Sequence, residues 1–225
     1  MSSFTQYIEE SVSTPFQVLG EMGRIFPDAL IMGVGFFSLI TLSFPYAIFF
    51  ASLLESLLVF YGLRNLNELL NFVSTTVPAH SQTKQCRSGF SDTTMHTLSL
   101  FGSGLMSGFP SSALYMVTVA ASYVLTSMTY FSAEIELMGQ DLAIKWWTSL
   151  ISSVLLVMSL ILYRIAFDCD TYVNLAVSIF IGTVIGALLV LQNTKLFGLT
   201  SINILGLPVL KQRTADGNVL YMCPA

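Results

Sequence analysis

Four stretches of this chain run without an Asp, Glu, Lys or Arg for long enough to matter to a lipid bilayer: Ala29–Leu54, Thr97–Ala133, Trp146–Tyr163 and Thr171–Thr194. Roughly 20 apolar residues in a helix span the ~30 Å hydrocarbon core of a membrane. In Val173–Leu191, 12 of 19 residues are Val, Leu, Ile or Phe. Each favours insertion by about 0.3 to 0.6 kcal/mol near the helix centre, so the segment as a whole gains several kcal/mol. Only 10% of the 225 residues are charged, against about 25% in ordinary globular domains. These features predict an all-α, multi-pass transmembrane helical bundle. The net charge of −4 is thinly spread, so no basic face for nucleic acid is present.

The first two runs need interruption. A single helix over Ala29–Leu63 would be roughly 52 Å long at 1.5 Å per residue, and Pro45 lies near its middle. Proline removes a helix hydrogen bond and clashes with the preceding turn. Between a kinked helix and a tight hairpin at Ser43–Tyr46, the sequence favours the hairpin. In the second run, Ser111–Phe131 makes a sound span, with Pro110 in its first turn. The preceding Thr97–Phe109 is too short to cross and holds Gly102, Ser103, Gly104, Ser107 and Gly108. It reads as a membrane-dipping segment, which must be buried in protein or line a wet cavity. The expected architecture is about five spans plus this dip.

The organisation follows: an N-terminal surface segment over 1–28, a transmembrane bundle over 29–194 with a polar loop at 64–96, and a polar tail over 195–225. Within the tail, Ala215-Asp216-Gly217-Asn218 separates Val209-Leu210 from Val219-Leu220-Tyr221, a modest hairpin signal. The polar loop and the junction Arg164–Asp170 fall on one side of the membrane, and the acidic loop Ser132–Lys145 and the tail on the other. Basic residues divide evenly, with Arg64, Lys84, Arg87 and Arg164 against Lys145, Lys195, Lys211 and Arg213. The positive-inside rule therefore gives no orientation. Of the three cysteines, Cys86, Cys169 and Cys223, none forms a C-x-x-C pair, so structural zinc is not expected. The odd count argues against a disulfide framework and leaves a single Cys86–Cys169 bridge open.

Two neighbourhoods carry polar residues where spans meet loops. One is Ser107-Gly108-Phe109-Pro110-Ser111-Ser112-Ala113; the other is Tyr163-Arg164 followed by Asp168, Asp170 and Asn174. Here the chain resembles the type-2 phosphatidic acid phosphatase superfamily of membrane lipid phosphatases, over roughly Lys84 to Leu191. That family has Pro-Ser-Gly-His at one helix start, then Ser-Arg, five residues, His, three residues, Asp, and an earlier Lys, six residues, Arg-Pro motif. Pro110 and Ser111 match the first pair, while Ser112 and Ala113 replace Gly and His. Arg164 matches the Arg, Tyr163 stands for Ser, Asp170 for the nucleophilic His, and Asn174 for the Asp. Lys84 lies in the right loop without an Arg-Pro after it, and Arg87 is the other basic residue nearby.

The resemblance implies a lipid-phosphatase-like bundle whose chemistry is lost. Histidine attacks phosphorus and protonates the leaving group in that family, a role suited to a group exchanging protons near neutral pH. This chain has only His80 and His96, neither at a motif position. No catalytic residue, metal or cofactor is expected. Lys84, Arg87 and Arg164 are the candidate headgroup-binding residues. The plainer readings stand beside these. Arg164 suits an interfacial arginine paired with Asp168, and Pro110-Ser111-Ser112 suits a helix start. Gly182 and Gly186 suit close helix packing.

Glu55 is an acid within an apolar stretch and needs a partner such as a Ser, Tyr or Arg from another helix. The function expected is that of a non-catalytic structural or scaffolding protein, in a cellular membrane or the internal membrane of a large virus. Membrane lipids and proteins of a membrane-associated assembly are its expected partners. The rivals are an active lipid phosphatase or phosphotransferase with an altered nucleophile, and a small transporter or channel built around Glu55.

Overall fold

The computed structural model describes residues 25–70, 86, 109–132, 140–204, 212–213 and 219–220. They contain an all-helical bundle of α1 (Ile25–Thr41), α2 (Phe44–Leu70), α3 (Ser112–Tyr130), α4 (Gln140–Ala166) and α5 (Tyr172–Phe197). Four of them, α2 to α5, are long and apolar enough to cross a membrane; α1 is apolar but shorter. A 3-10 turn, Leu199–Ile202, follows α5. In the tail, Gln212 pairs with Leu220 and Arg213 with Val219 in an antiparallel ladder. The Val209-Leu210 arm expected for that hairpin lies outside the described residues.

The first apolar run does turn back on itself, but earlier than Ser43–Tyr46. Helix α1 ends at Thr41, whose hydroxyl donates to the Phe37 carbonyl at 2.8 Å. Leu42 takes the left-handed conformation, with φ 48°, and α2 begins at Phe44. Pro45 thus sits in the first turn of α2, where a missing N–H removes nothing. The break is set by the residues before the proline. The two helices run side by side: Phe37 meets the Tyr46 ring edge-on at 4.9 Å, and a Cβ on Gly35 would lie 2.7 Å from the Phe50 ring.

Other boundaries also shift. Helix α1 starts inside the expected surface segment, with Asp28 in its first turns and 1% exposed. Helix α2 continues through Arg64 to Leu70, where the Arg64 guanidinium pairs with Glu68 one turn on at 3.0 Å. Such i,i+4 pairing supports helix beyond the apolar run. Helix α4 begins at Gln140, within the expected acidic loop. Pro110 precedes α3 instead of occupying its first turn, because Ser111 is the N-cap. Of the dipping segment, only Phe109 is described, and it is buried. Trp146 and Trp147 meet edge-on at 4.9 Å near the start of α4.

Helix α3 is the centre of the bundle. In its most apolar window 67% of residues are buried, against 11% in the corresponding window of α4. Its main partner is α5, and Gly182 and Gly186 explain why. A Cβ on Gly186 would come 2.5 Å from the Val119 carbonyl oxygen and 2.8 Å from Ser122 Cβ, and one on Gly182 would collide with Thr118. Without side chains at these two positions the backbones approach closely. The Ser122 hydroxyl then reaches across to the Thr183 carbonyl at 2.7 Å.

One core cluster joins Phe49, Leu53 and Phe60 of α2 to Tyr115, Val119 and Tyr123 of α3 and Val190 of α5. A second joins Leu114 and Val117 of α3 to Leu160 of α4 and Leu175 of α5, with Phe26 of α1 against it. The second cluster brings the starts of α1, α3 and α5 to the same end of the bundle as the finish of α4. At the opposite end, Phe44 and Phe197 meet edge-on at 6.1 Å.

Candidate functional site

The end of the bundle where α4 hands over to α5 holds a buried polar cluster, and local chain geometry builds it. Helix α4 stops at Ala166. The Cys169 N–H then donates back to the Arg164 carbonyl at 2.9 Å, and the Asp168 N–H to the Ile165 carbonyl at 3.1 Å. Asp168 has φ 49°. This pair of bonds around one left-handed residue is a Schellman motif, which satisfies the last carbonyls of a helix and reverses the chain. Asp is among the few residues with side chains that adopt such a conformation readily.

The reversal carries Asp170 back over the final turn of α4. There its Oδ2 takes an ion pair from Arg164 Nε and accepts the Ser111 hydroxyl at 2.8 Å. The Asn174 amide donates to its Oδ1 at 3.1 Å. The expected partner for Arg164 was Asp168, four residues on. That spacing applies only within a continuous helix, and the helix has already ended. Arg164 is also buried, not snorkelling: it is 6% exposed. The carboxylate lies just before the N-terminus of α5 and the guanidinium in the last turn of α4, each at the helix end whose dipole favours its charge.

Ser111 ties α3 into the same cluster. Its side chain makes no capping bond to its own helix, having been turned toward Asp170, while its backbone N–H donates to Ser178 Oγ at 2.8 Å. Ser178 in turn donates to the Asn174 carbonyl at 2.6 Å. Thr171 caps α5 by accepting from the Asn174 N–H at 3.4 Å. A disulfide between Cys86 and Cys169 anchors the residue next to Asp170 to the segment that links α2 and α3.

Of the motif positions singled out in the sequence, Ser111, Arg164, Asp170 and Asn174 therefore meet in space. Pro110, Ser112 and Ala113 flank them and are buried. Lys84, Arg87, His80 and His96 lie outside the described residues. Ser178 was not anticipated, although Asn174, Ser178, Gly182 and Gly186 recur every four residues and share one buried stripe of α5. That stripe extends about two helical turns beyond the glycine pair.

A second polar group lies deeper in the bundle. Asn193 on α5 donates to Ser52 Oγ at 2.7 Å and to the Tyr123 hydroxyl at 2.9 Å, linking three helices. The Tyr115 hydroxyl donates to the Ser56 carbonyl at 3.0 Å. Glu55, half-buried, accepts from the Gln192 amide at 3.0 Å on both carboxylate oxygens. Its partner from another helix is thus a glutamine and not the Ser, Tyr or Arg expected. Among the described residues, no group of three or more His, Cys, Asp or Glu is placed to hold a metal ion. Comparison of the chain with family profiles, curated proteins and solved structures finds no match.

Proposed function

We propose that this chain is a multi-pass integral membrane protein with a structural, non-catalytic role, built on a bundle like that of the lipid phosphatases. The observation that carries this reading is the position of Asp170. A phosphatase needs its arginine and its helix-start donors turned toward a phosphate. In this chain an internal carboxylate takes the Arg164 guanidinium, the Ser111 hydroxyl and the Asn174 amide together. The residue standing where the resemblance puts a nucleophile is itself the anion that fills the donors. Headgroup contact then falls to Lys84 and Arg87 in the polar loop, with Arg164 spent on holding α3, α4 and α5 together.

The remaining polar contacts support the same role. The Glu55–Gln192 and Asn193–Ser52–Tyr123 bonds act as staples between helices, giving polar groups partners where water is excluded. Its partners on this reading are membrane lipids and other proteins of a membrane-associated assembly.

The test is phosphate release from phosphatidate in detergent micelles, comparing the native chain with Arg164→Ala. Neither is expected to release phosphate, and the native chain is expected to copurify with protein partners. Release by the native chain that disappears in Arg164→Ala would sink the structural reading and make Asp170 the nucleophile to examine.

A further inference from the structure

The disulfide carries information that the charges do not. Cys86 and Cys169 are 83 residues apart in sequence and bonded, and each is 1% exposed. The bond places the segment between α2 and α3 at the same end of the bundle as the α4–α5 turn. The cluster of Ser111, Arg164, Asp170 and Asn174 is at that end too. The tail that follows α5 leaves from the other end, where Phe44 meets Phe197.

Protein disulfides form and persist on the oxidising side of membranes and are rare where glutathione and thioredoxin keep thiols reduced. Making this one removes two protons and two electrons from the Cys86 and Cys169 thiols. The acceptor is a disulfide-bearing oxidoreductase, which passes its own disulfide on by exchange and leaves as a dithiol. Donors of that class work in the lumen of the secretory pathway and in the periplasm. The basic residues are close to a tie and do not decide between the two orientations. With Arg24, which precedes Ile25 in the chain, they divide five to four between the two ends.

We infer that the end of the bundle bearing Cys86–Cys169 and the Arg164–Asp170 pair faces the oxidising, extracytosolic side, and that the tail following α5 faces the cytosol. This rests on the membrane-spanning reading above. It also accounts for the odd cysteine count, because Cys223 belongs to the tail and is separated from the other two by the membrane.

The test uses the full chain inserted into sealed endoplasmic-reticulum microsomes. The sequence has no Asn-x-Ser/Thr acceptor, and single substitutions create one on each side: Ser91→Asn ahead of Asp92 and Thr93, and Gln212→Asn ahead of Arg213 and Thr214. The Ser91→Asn chain is expected to gain a glycan and the Gln212→Asn chain none. A glycan on Gln212→Asn, or none on Ser91→Asn while the chain stays in the membrane, overturns the orientation. Extraction with alkaline carbonate separates this failure from the other, since release of the chain would sink the membrane-spanning reading itself. A maleimide tag applied to the solubilised native chain without reductant is expected on Cys223 alone, and on all three cysteines after reduction. Tagging of Cys86 or Cys169 before reduction also overturns the inference.

Discussion

Asp170 lies six residues after Arg164 and returns to it through a left-handed turn, so that the two side chains meet with 3% and 7% of their surface exposed. Removing one member of a buried ion pair leaves the other charge uncompensated, at a loss of about 3–5 kcal/mol. Arg164→Ala and Asp170→Ala are each expected to destabilise the bundle by that amount. The double substitution Arg164→Ala with Asp170→Ala is expected to lose much less than the sum, because no orphan charge remains. Thermal unfolding of the four proteins in detergent, arranged as a double-mutant cycle, measures this. Additive losses would mean that the pair contributes nothing as a pair.

Asp168 makes the contrast. It occupies the left-handed position of the turn, with φ 49°, and its role there is conformational. Glycine adopts that conformation without penalty. Asp168→Gly and Asp168→Asn are expected to stay within about 0.5 kcal/mol of the native chain, the range of surface changes away from special features. A loss from Asp168→Asn as large as that from Asp170→Ala would show that the Asp168 charge matters.

These two aspartates also show where the sequence was readable. The apolar runs announced the helices, since a run of that length has few other uses. The gathering of Ser111, Arg164, Asp170 and Asn174 followed from helix order. The pairing within that cluster did not. Helical spacing pointed to Asp168, and only the Schellman turn, which depends on where α4 stops, selects Asp170. Pro45 misled in a similar way: it marked a break, but the chain reverses at Leu42, and the proline serves the helix that follows. Helix α2 outran its apolar stretch because Arg64 and Glu68 support helix without being hydrophobic. The Gln192 partner of Glu55 gave no sequence signal, because two residues 137 apart are brought together by the packing alone.

The α3–α5 contact depends on the two glycines. A methyl group at Gly186 would press on the Val119 carbonyl oxygen at 2.5 Å, which is backbone and cannot rotate away. Overpacking of this kind usually costs about 1–3 kcal/mol. Gly186→Ala is expected to fall in that range. Gly33→Ala, where the added Cβ meets nothing within 4 Å, is expected to be neutral or stabilising, since alanine is the better helix former by about 1 kcal/mol. The midpoint of thermal unfolding should fall for Gly186→Ala and hold or rise for Gly33→Ala. Equal shifts would mean that helix propensity, not packing, decides both.

Asn193 joins α5 to α2 and α3 through one amide nitrogen, with Ser52 at 2.7 Å and Tyr123 at 2.9 Å. Polar bonds between helices in membranes are worth about 0.6 kcal/mol on average and up to about 1.7 kcal/mol. Both acceptors lose their donor in Asn193→Leu, whereas Tyr123→Phe removes one bond and leaves Ser52 in place. The first is expected to cost about 1–2 kcal/mol and the second about half as much. A larger loss from Tyr123→Phe than from Asn193→Leu would place the strength of this contact in the tyrosine's other neighbours, among them the Phe49 ring at 4.8 Å.

The disulfide should matter most to the turn that positions Asp170. It closes a loop with a sequence separation of 83, and restricting an unfolded chain by a loop of that size contributes about 4–5 kcal/mol in the chain-entropy view. Cysteine 169 is also the residue whose N–H completes the turn to the Arg164 carbonyl. Cys86→Ser therefore removes the cross-link while leaving that backbone bond in place. If the link acts only on the unfolded chain, its loss adds independently to that of Arg164→Ala. If it also holds Asp170 against Arg164, part of the ion pair's contribution disappears with it, and the combined variant loses less than the sum. The second outcome is expected, because Cys169 and Asp170 are adjacent and share one turn. Unfolding of Cys86→Ser, Arg164→Ala and the combined chain in detergent distinguishes the two cases, and strict additivity would assign the disulfide to the unfolded state alone.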